Sequence, residues 1–173
     1  MGGHLGRLSA QDRRAPDGRL VTSAGEGEDE REIRDLSHRY AVALDRGDAD
    51  AWAALFADDI AFASGDTVRG RDDVLTIPGD QLARYERTLH AVTTQVIARD
   101  GDRATGTVYC IAHHLYRDTH QHGRFPFDLT HAFLIRYEDE YARIGDRWLF
   151  TRREVITEAR YVHQVIPGPP VSA

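Results

Sequence analysis

The residues best suited to moving protons in this sequence are its nine histidines. Several stand in surroundings too apolar for idle surface positions. His90 falls where a helical pattern gives way to a long strand. His113 and His114 follow Val108, Tyr109, Cys110 and Ile111 in a second strand, and His131 adjoins Ala132 and Phe133 in a third. An imidazole, with an ordinary pKa of about 6.5, takes and releases protons near neutrality. It does so well when a carboxylate accepts its second N–H, fixing the tautomer and stabilising the imidazolium. One carboxylate draws notice by its place. Asp45 ends a stretch in which Ile33, Leu36, Tyr40, Ala43 and Leu44 recur at helical spacing, just before Arg46-Gly47-Asp48. An acid beside an Arg-Gly turn is ordinarily solvated, so its role depends on what the fold sets against it.

Other chemistries fit less well. His113, His114, His120 and His122 invite a metal reading, but their spacing crosses a strand and a loop with no carboxylate at a fixed position. Adjacent strand residues also face opposite sides, so only one of His113 and His114 can enter a given site. No metal and no cofactor is expected. Cys110 reads as packing, since nothing near it in sequence would lower a thiol pKa. Arg153 lies five residues after Trp148 in the last strand and has a structural alternative, an ion pair with Asp45 or Glu158. Strict alternation there groups Leu149, Thr151, Arg153 and Val155 on one face and Trp148, Phe150, Arg152 and Glu154 on the other. Which face is inward stays open.

The elements that must position these groups change period halfway along the chain. An amphipathic helix over about residues 29–46 follows the acidic run before it. Asp48 or Asp50 can cap a short second helix carrying Trp52, Leu55 and Phe56. "IAFAS" reads as a short strand, "VRGRDDVLTIPG" as a strand end and helical turn interrupted by Pro78. "DQLARYERTLH" reads as a third helix with Leu82, Tyr85 and Leu89 on one side. From His90 onward come long strands, with turns at Asp100-Gly101-Asp102 and Ile144-Gly145-Asp146. Helices first and an antiparallel meander after imply an α+β fold, a curved sheet wrapped around the N-terminal helices as a cone-shaped barrel.

Bulk properties bound the partners. The 173 residues carry a net charge of −6, which argues against nucleic acid or an anionic membrane. No apolar run is long enough to span a bilayer, the first residues lack the apolar core of a secretory signal, and one cysteine forms no internal disulfide, so a cytoplasmic location is expected. Residues 1–28 read as a flexible extension, 29–165 as the folded domain and 166–173 as a tail. Val96, Tyr109, Phe133 and Trp148, taken as outer-face residues, suggest a homodimer or homotrimer.

Three stretches carry a family likeness. "YAVALDRGDADAWAALFADD", the strand beginning "LHAVTTQVI" and the late "GDRWLFTRR" resemble the SnoaL-like branch of the nuclear-transport-factor-2-like fold. The likeness is strongest to the group of scytalone dehydratase, hexachlorocyclohexane dehydrochlorinase and bile acid 7α-dehydratase. The resemblance implies a cone-shaped α+β barrel and cofactor-independent acid–base catalysis on a hydrophobic small molecule. It places a helix-end Asp and a strand-start His on Asp45 and His90, a helix-one Tyr on Tyr40, and an Arg on Arg153. The second histidine of the scytalone enzyme falls on His113 in "AHHLYRD", with His114 the alternative one register away. Trp52, Phe56, Cys110 and His131 would line the substrate. The chain departs from the group in two places. It lacks the bile acid enzyme's second-strand aspartate, and the scytalone enzyme's serine and asparagine contacts have no equivalents near Ala132–Leu134. Water elimination from a cyclic or polyketide-like substrate is the favoured expectation. A polyketide-type cyclase or isomerase is the alternative enzyme, and a non-catalytic small-ligand binding or dimerisation module the alternative outside catalysis.

Overall fold

Helix α1 (Ala24–Arg46) buries Ile33, Leu36, Tyr40, Ala43 and Leu44 along one face, as their three-and-four spacing requires. The structure, a computed structural model, describes residues 24–116 and 128–165. The helix therefore starts within the stretch expected to be extension. The other terminal expectations and the loop histidines His120 and His122 lie outside the described residues. Gly47 stops α1 in the left-handed conformation, φ 65°. Its N–H bonds to the Leu44 carbonyl and that of Asp48 to Ala43, a paired C-terminal closure that favours glycine. The turn fixes where Asp45, two residues earlier, can point.

Asp48 caps α2 (Ala49–Ala53), its carboxylate accepting from the Ala51 N–H at 3.0 Å. Phe56, expected at the end of that helix, instead opens β1 (Phe56–Ser64). After β2 (Thr67–Arg69) comes α3 (Arg71–Arg84), which contains Pro78 and ends before Tyr85. The third helix is thus earlier than expected, and Tyr85 and Leu89 belong to a strand. Pro78 is tolerated because the carbonyl it deprives, that of Val74, accepts the indole N–H of Trp52 at 2.9 Å. Four long strands follow: β3 (Tyr85–Asp100), β4 (Arg103–Tyr116), β5 (Asp128–Ile144) and β6 (Arg147–Val165). Gly101 and Gly145, both at positive φ, make the β3–β4 and β5–β6 turns.

The six strands form one curved, unclosed sheet in the order β2-β1-β6-β5-β4-β3. Every neighbouring pair is antiparallel except β1 and β6, which run parallel. The helices pack on its inner face, giving the expected α+β architecture. Inner positions are set by register: His90, Ala112 and Phe133 align across β3, β4 and β5, and Thr88, His114 and His131 align beside them. A bulge breaks strict alternation in β6. Tyr141 pairs with Phe150 but Glu140 with Arg152, leaving Thr151 as the extra residue. Trp148, Phe150 and Arg153 consequently share the buried side, each fully buried.

Of the residues expected on the outer face, Val96 and Tyr109 are exposed, while Trp148 is in the core and Phe133 packs inward on the His114 ring at 5.0 Å. Trp148 is held there because its indole N–H donates to Asp29 and its backbone N–H to Glu32, both on α1. Arg143 also pairs with Asp29. This ties the start of α1 to the β5–β6 turn. No helix among the described residues is long and apolar enough to cross a membrane.

Candidate active site

Asp45 and His90 meet. The β3 strand brings His90 under the last turn of α1, where its Nδ1 lies 2.6 Å from Asp45 Oδ1. The His90 backbone N–H donates to Oδ2 at 2.9 Å, and the Thr88 hydroxyl donates to Oδ1 at 2.7 Å. Both side chains are shielded, 5% exposed for His90 and 17% for Asp45. Burial works against ionisation of Asp45, but the His90 ring, the His90 backbone N–H and the Thr88 hydroxyl prevail. They hold its carboxyl below the ordinary value. An ionised Asp45 requires the proton on Nδ1, so Nε2 is the nitrogen left to accept one. A cleft of about 280 Å³ runs past Asp45, Gln81, Tyr85 and Thr88.

His114 faces the same interior. Its ring stands perpendicular to that of His90, centroids 5.4 Å apart, between Tyr85 at 4.6 Å and Phe133. Its Nδ1 is buried and has no hydrogen-bond partner among the described residues. Burial, aided by the neighbouring His90, pushes its pKa down to about 4, so it is neutral at pH 7. His113 points outward and stacks on His163 at 6.2 Å. The register therefore selects His114 as the interior histidine of the pair, correcting the placement of His113 in the site. His131, on the inner face opposite His114, is hydrogen-bonded to the Tyr116 hydroxyl at 3.2 Å.

Deeper in the cone lies a second charge pair. Arg153 donates Nε to Asp139 Oδ1 at 2.8 Å and Nη2 to Oδ2 at 2.7 Å, and Nη2 also reaches Ser37 Oγ at 3.2 Å. The partner is therefore neither Asp45 nor Glu158, which pairs with Arg136. The rings of Tyr40, Tyr137 and Phe150 lie 4.1–4.2 Å from the guanidinium carbon. Burial opposes the charge on Arg153, and Asp139 overcomes it, raising its pKa. Burial lifts the Tyr40 hydroxyl to about 12, so it stays protonated.

The four expected substrate-lining residues separate. Trp52 and Phe56 sit in the packed aromatic core with Tyr40, rings 4.6 and 6.4 Å from it. Cys110 is buried, and desolvation pushes its thiol to about 11, the condition of a packing residue. Of the four, His131 alone, half-buried, stands beside His114. Among the described residues no group of three or more His, Cys, Asp or Glu could hold a metal ion. Thr88, Asp139, Tyr85 and Tyr116 were not singled out from sequence. Thr88 was hidden because residues 80–90 read as a helix; only as part of β3 does it share a face with His90, two residues on.

The SnoaL-like domain family pattern matches residues 25–154. No curated protein matches this sequence. Among solved structures, a Novosphingobium aromaticivorans protein provisionally named a scytalone dehydratase aligns at 21% identity and TM-score 0.69, covering 84% of this chain and 95% of that one. The Kfla4162 protein of Kribbella flavida aligns at 22% and 0.70, covering 78% and 94%. A hexachlorocyclohexane dehydrochlorinase of Novosphingobium barchaimii aligns at 16% and 0.65, covering 84% and 96%. At these identities the likeness establishes the fold.

Proposed function

The chain belongs to the SnoaL-like domain family, and on that premise we propose that it is a cofactor-independent, dehydratase-type lyase acting on a hydrophobic cyclic or polyketide-like small molecule. The observation that carries this reading is the 2.6 Å contact between His90 Nδ1 and Asp45 Oδ1 in a shielded position. The dehydratase and dehydrochlorinase names among the structural neighbours support an elimination.

In this mechanism His90 Nε2 takes the proton from a carbon made acidic by an adjacent carbonyl or phenol. The C–H electron pair becomes the new double bond, and the hydroxyl on the next carbon leaves with the proton returned by the His90 imidazolium. The balance is loss of one water, with His90 restored. Asp45 stabilises the imidazolium while it exists. Neutral His114 contributes an N–H hydrogen bond to the developing oxygen charge rather than a whole proton. Tyr40 is the other protonated donor of the set. Arg153, already engaged by Asp139, acts by holding Tyr40 in place.

The test is a panel of cyclic β-hydroxy ketones and hydroxylated tetralones, with water loss followed by the absorbance of the new conjugated bond. Wild type should turn over at least one member. H90Q should lower kcat/KM by about 10²–10⁴-fold, with D45N close behind. Equal turnover by wild type and H90Q would sink the mechanism, and no turnover of any member would sink the dehydratase assignment.

A further inference from the structure

Asp45 sits in an awkward place for a carboxylate. It lies in the last turn of α1, where the helix dipole presents its negative end, an environment that disfavours an anion. Burial adds to the cost. Three donors offset it, and two of them, the ring and backbone N–H of His90, belong to one residue. The third is the Thr88 hydroxyl, 2.7 Å from Oδ1. Oδ1 is the same oxygen that orients the His90 ring.

We propose that Thr88 is a positioning residue of this site: its hydroxyl locks the rotation of the Asp45 carboxylate and shares the oxygen that orients His90. This rests on the reading of Asp45 and His90 as the proton-handling pair. The strand supplies the geometry. Thr88 and His90 are two apart on β3 and project to the same side, so one carboxylate between them receives both. With Oδ2 held by the His90 backbone N–H and Oδ1 by Thr88, the plane of the carboxylate is fixed before the imidazole ring is considered. The ring then meets a preset acceptor, as a site needing a single tautomer requires.

Thr88 also divides the charge on Oδ1 between two donors. Its loss would concentrate that charge on the Nδ1–H bond while making the carboxylate less stable as an anion. A hydrophobic residue of the same shape removes the donor and keeps the packing. His114 from β4 faces the pair, and Glu86 and Arg87 line the adjoining cleft. None of these changes in the variants below, so they form a constant background.

The experiment uses the full chain labelled with ¹³C at aspartate carboxyls and ¹⁵N at histidine rings, as wild type, T88V and T88S. In T88V the Asp45 carboxyl should titrate at higher pH, and the His90 Nδ1–H resonance should move downfield. T88S, which restores the hydroxyl, should return both toward wild type. Once a substrate is in hand, T88V should lose about tenfold in kcat with KM unchanged, the effect of one hydrogen bond to a charged group. Should T88V misfold, T88A against T88S gives the same comparison. The proposal is overturned if T88V and T88A titrate like wild type with the ring proton unmoved, or if T88S behaves like T88V. Shifted resonances without turnover of any substrate would support the role of Thr88 at Asp45 while removing the lyase assignment.

Discussion

The cone holds two carboxylates, each paired with a nitrogen-bearing side chain, and the two pairs differ in what decides how a charge can act. Asp139 and Arg153 have no exposed side-chain area, meet at two points and are closed in by Tyr141, Ser37 and three aromatic faces. The cation is an arginine, which does not give up its proton. Asp45 and His90 meet at a ring nitrogen and a backbone N–H, beside a cleft that Asp45 lines, and the partner is an imidazole, a group able both to accept and to give up a proton. The first pair is built to stay charged. In the proposed mechanism the second is the one that changes. A buried ion pair in this fold is thus no guide to chemistry by itself; the titratable partner and the unfilled side are what distinguish the site.

The sharpest way to break the comparison is to remove one partner of the inner pair. D139A leaves a guanidinium buried without its counter-charge, which should cost about 3–5 kcal/mol in urea unfolding. The double variant D139A/R153M should recover most of that loss, because no charge is then stranded. D45N should cost far less stability, since water reaches the cleft, yet should damage turnover more. If D139A costs under about 1 kcal/mol, a value typical of exposed pairs, the inner pair is not the sealed structural unit described.

The pH dependence sharpens the contrast from the other side. The folded pKa of His114, about 4, lies below the 6.5 or so of an unfolded histidine. On acidification the unfolded chain therefore takes up the proton first. Stability contributed by neutral His114 is intact above pH 6.5 and falls between there and about pH 4, by on the order of 3 kcal/mol at most. The lowered carboxyl pKa of Asp45 adds its own loss at still lower pH. H114F should flatten the first part of the curve and leave the second. A wild-type unfolding free energy constant from pH 7 to 5 would show that His114 is not desolvated. Arg153, whose charge Asp139 favours, contributes no such slope in this range.

The two pairs were unequally legible in the sequence. Helix one, the hairpin glycines and the helices-then-strands order follow from local periodicity and turn chemistry. The likeness of Asp45 and His90 to a family pattern pointed to their meeting. The inner pair was hidden for a physical reason. Alternation put Trp148 and Phe150 opposite Arg153, and only the bulge at Thr151 turns all three inward. A bulge depends on how two strands pair, which periodicity along one strand does not contain. The same limit left His113 and His114 undecided until the β3–β4–β5 register was known. Helix three is displaced because Pro78 reads locally as an interruption and Leu82, Tyr85 and Leu89 as a helical face, while a distant tryptophan supplies the partner that lets the helix run through Pro78.

That tryptophan gives the smallest and most controlled comparison, a buried contact with no charge. Trp52 donates its indole N–H to the Val74 carbonyl, the acceptor that Pro78 leaves without its helical partner. Its ring also supports Tyr40 at 4.6 Å, so it stands beneath the face that covers Arg153. W52F keeps an aromatic ring in place but strands the Val74 carbonyl, which should cost about 1–3 kcal/mol for the unsatisfied acceptor together with lost packing. A P78A/W52F double variant restores a backbone N–H four residues after Val74, so the carbonyl regains a partner. The double should therefore be less destabilised than the two single changes taken together. Additive losses would mean that the indole bond does not compensate the proline, and the helix would owe its continuity there to packing alone.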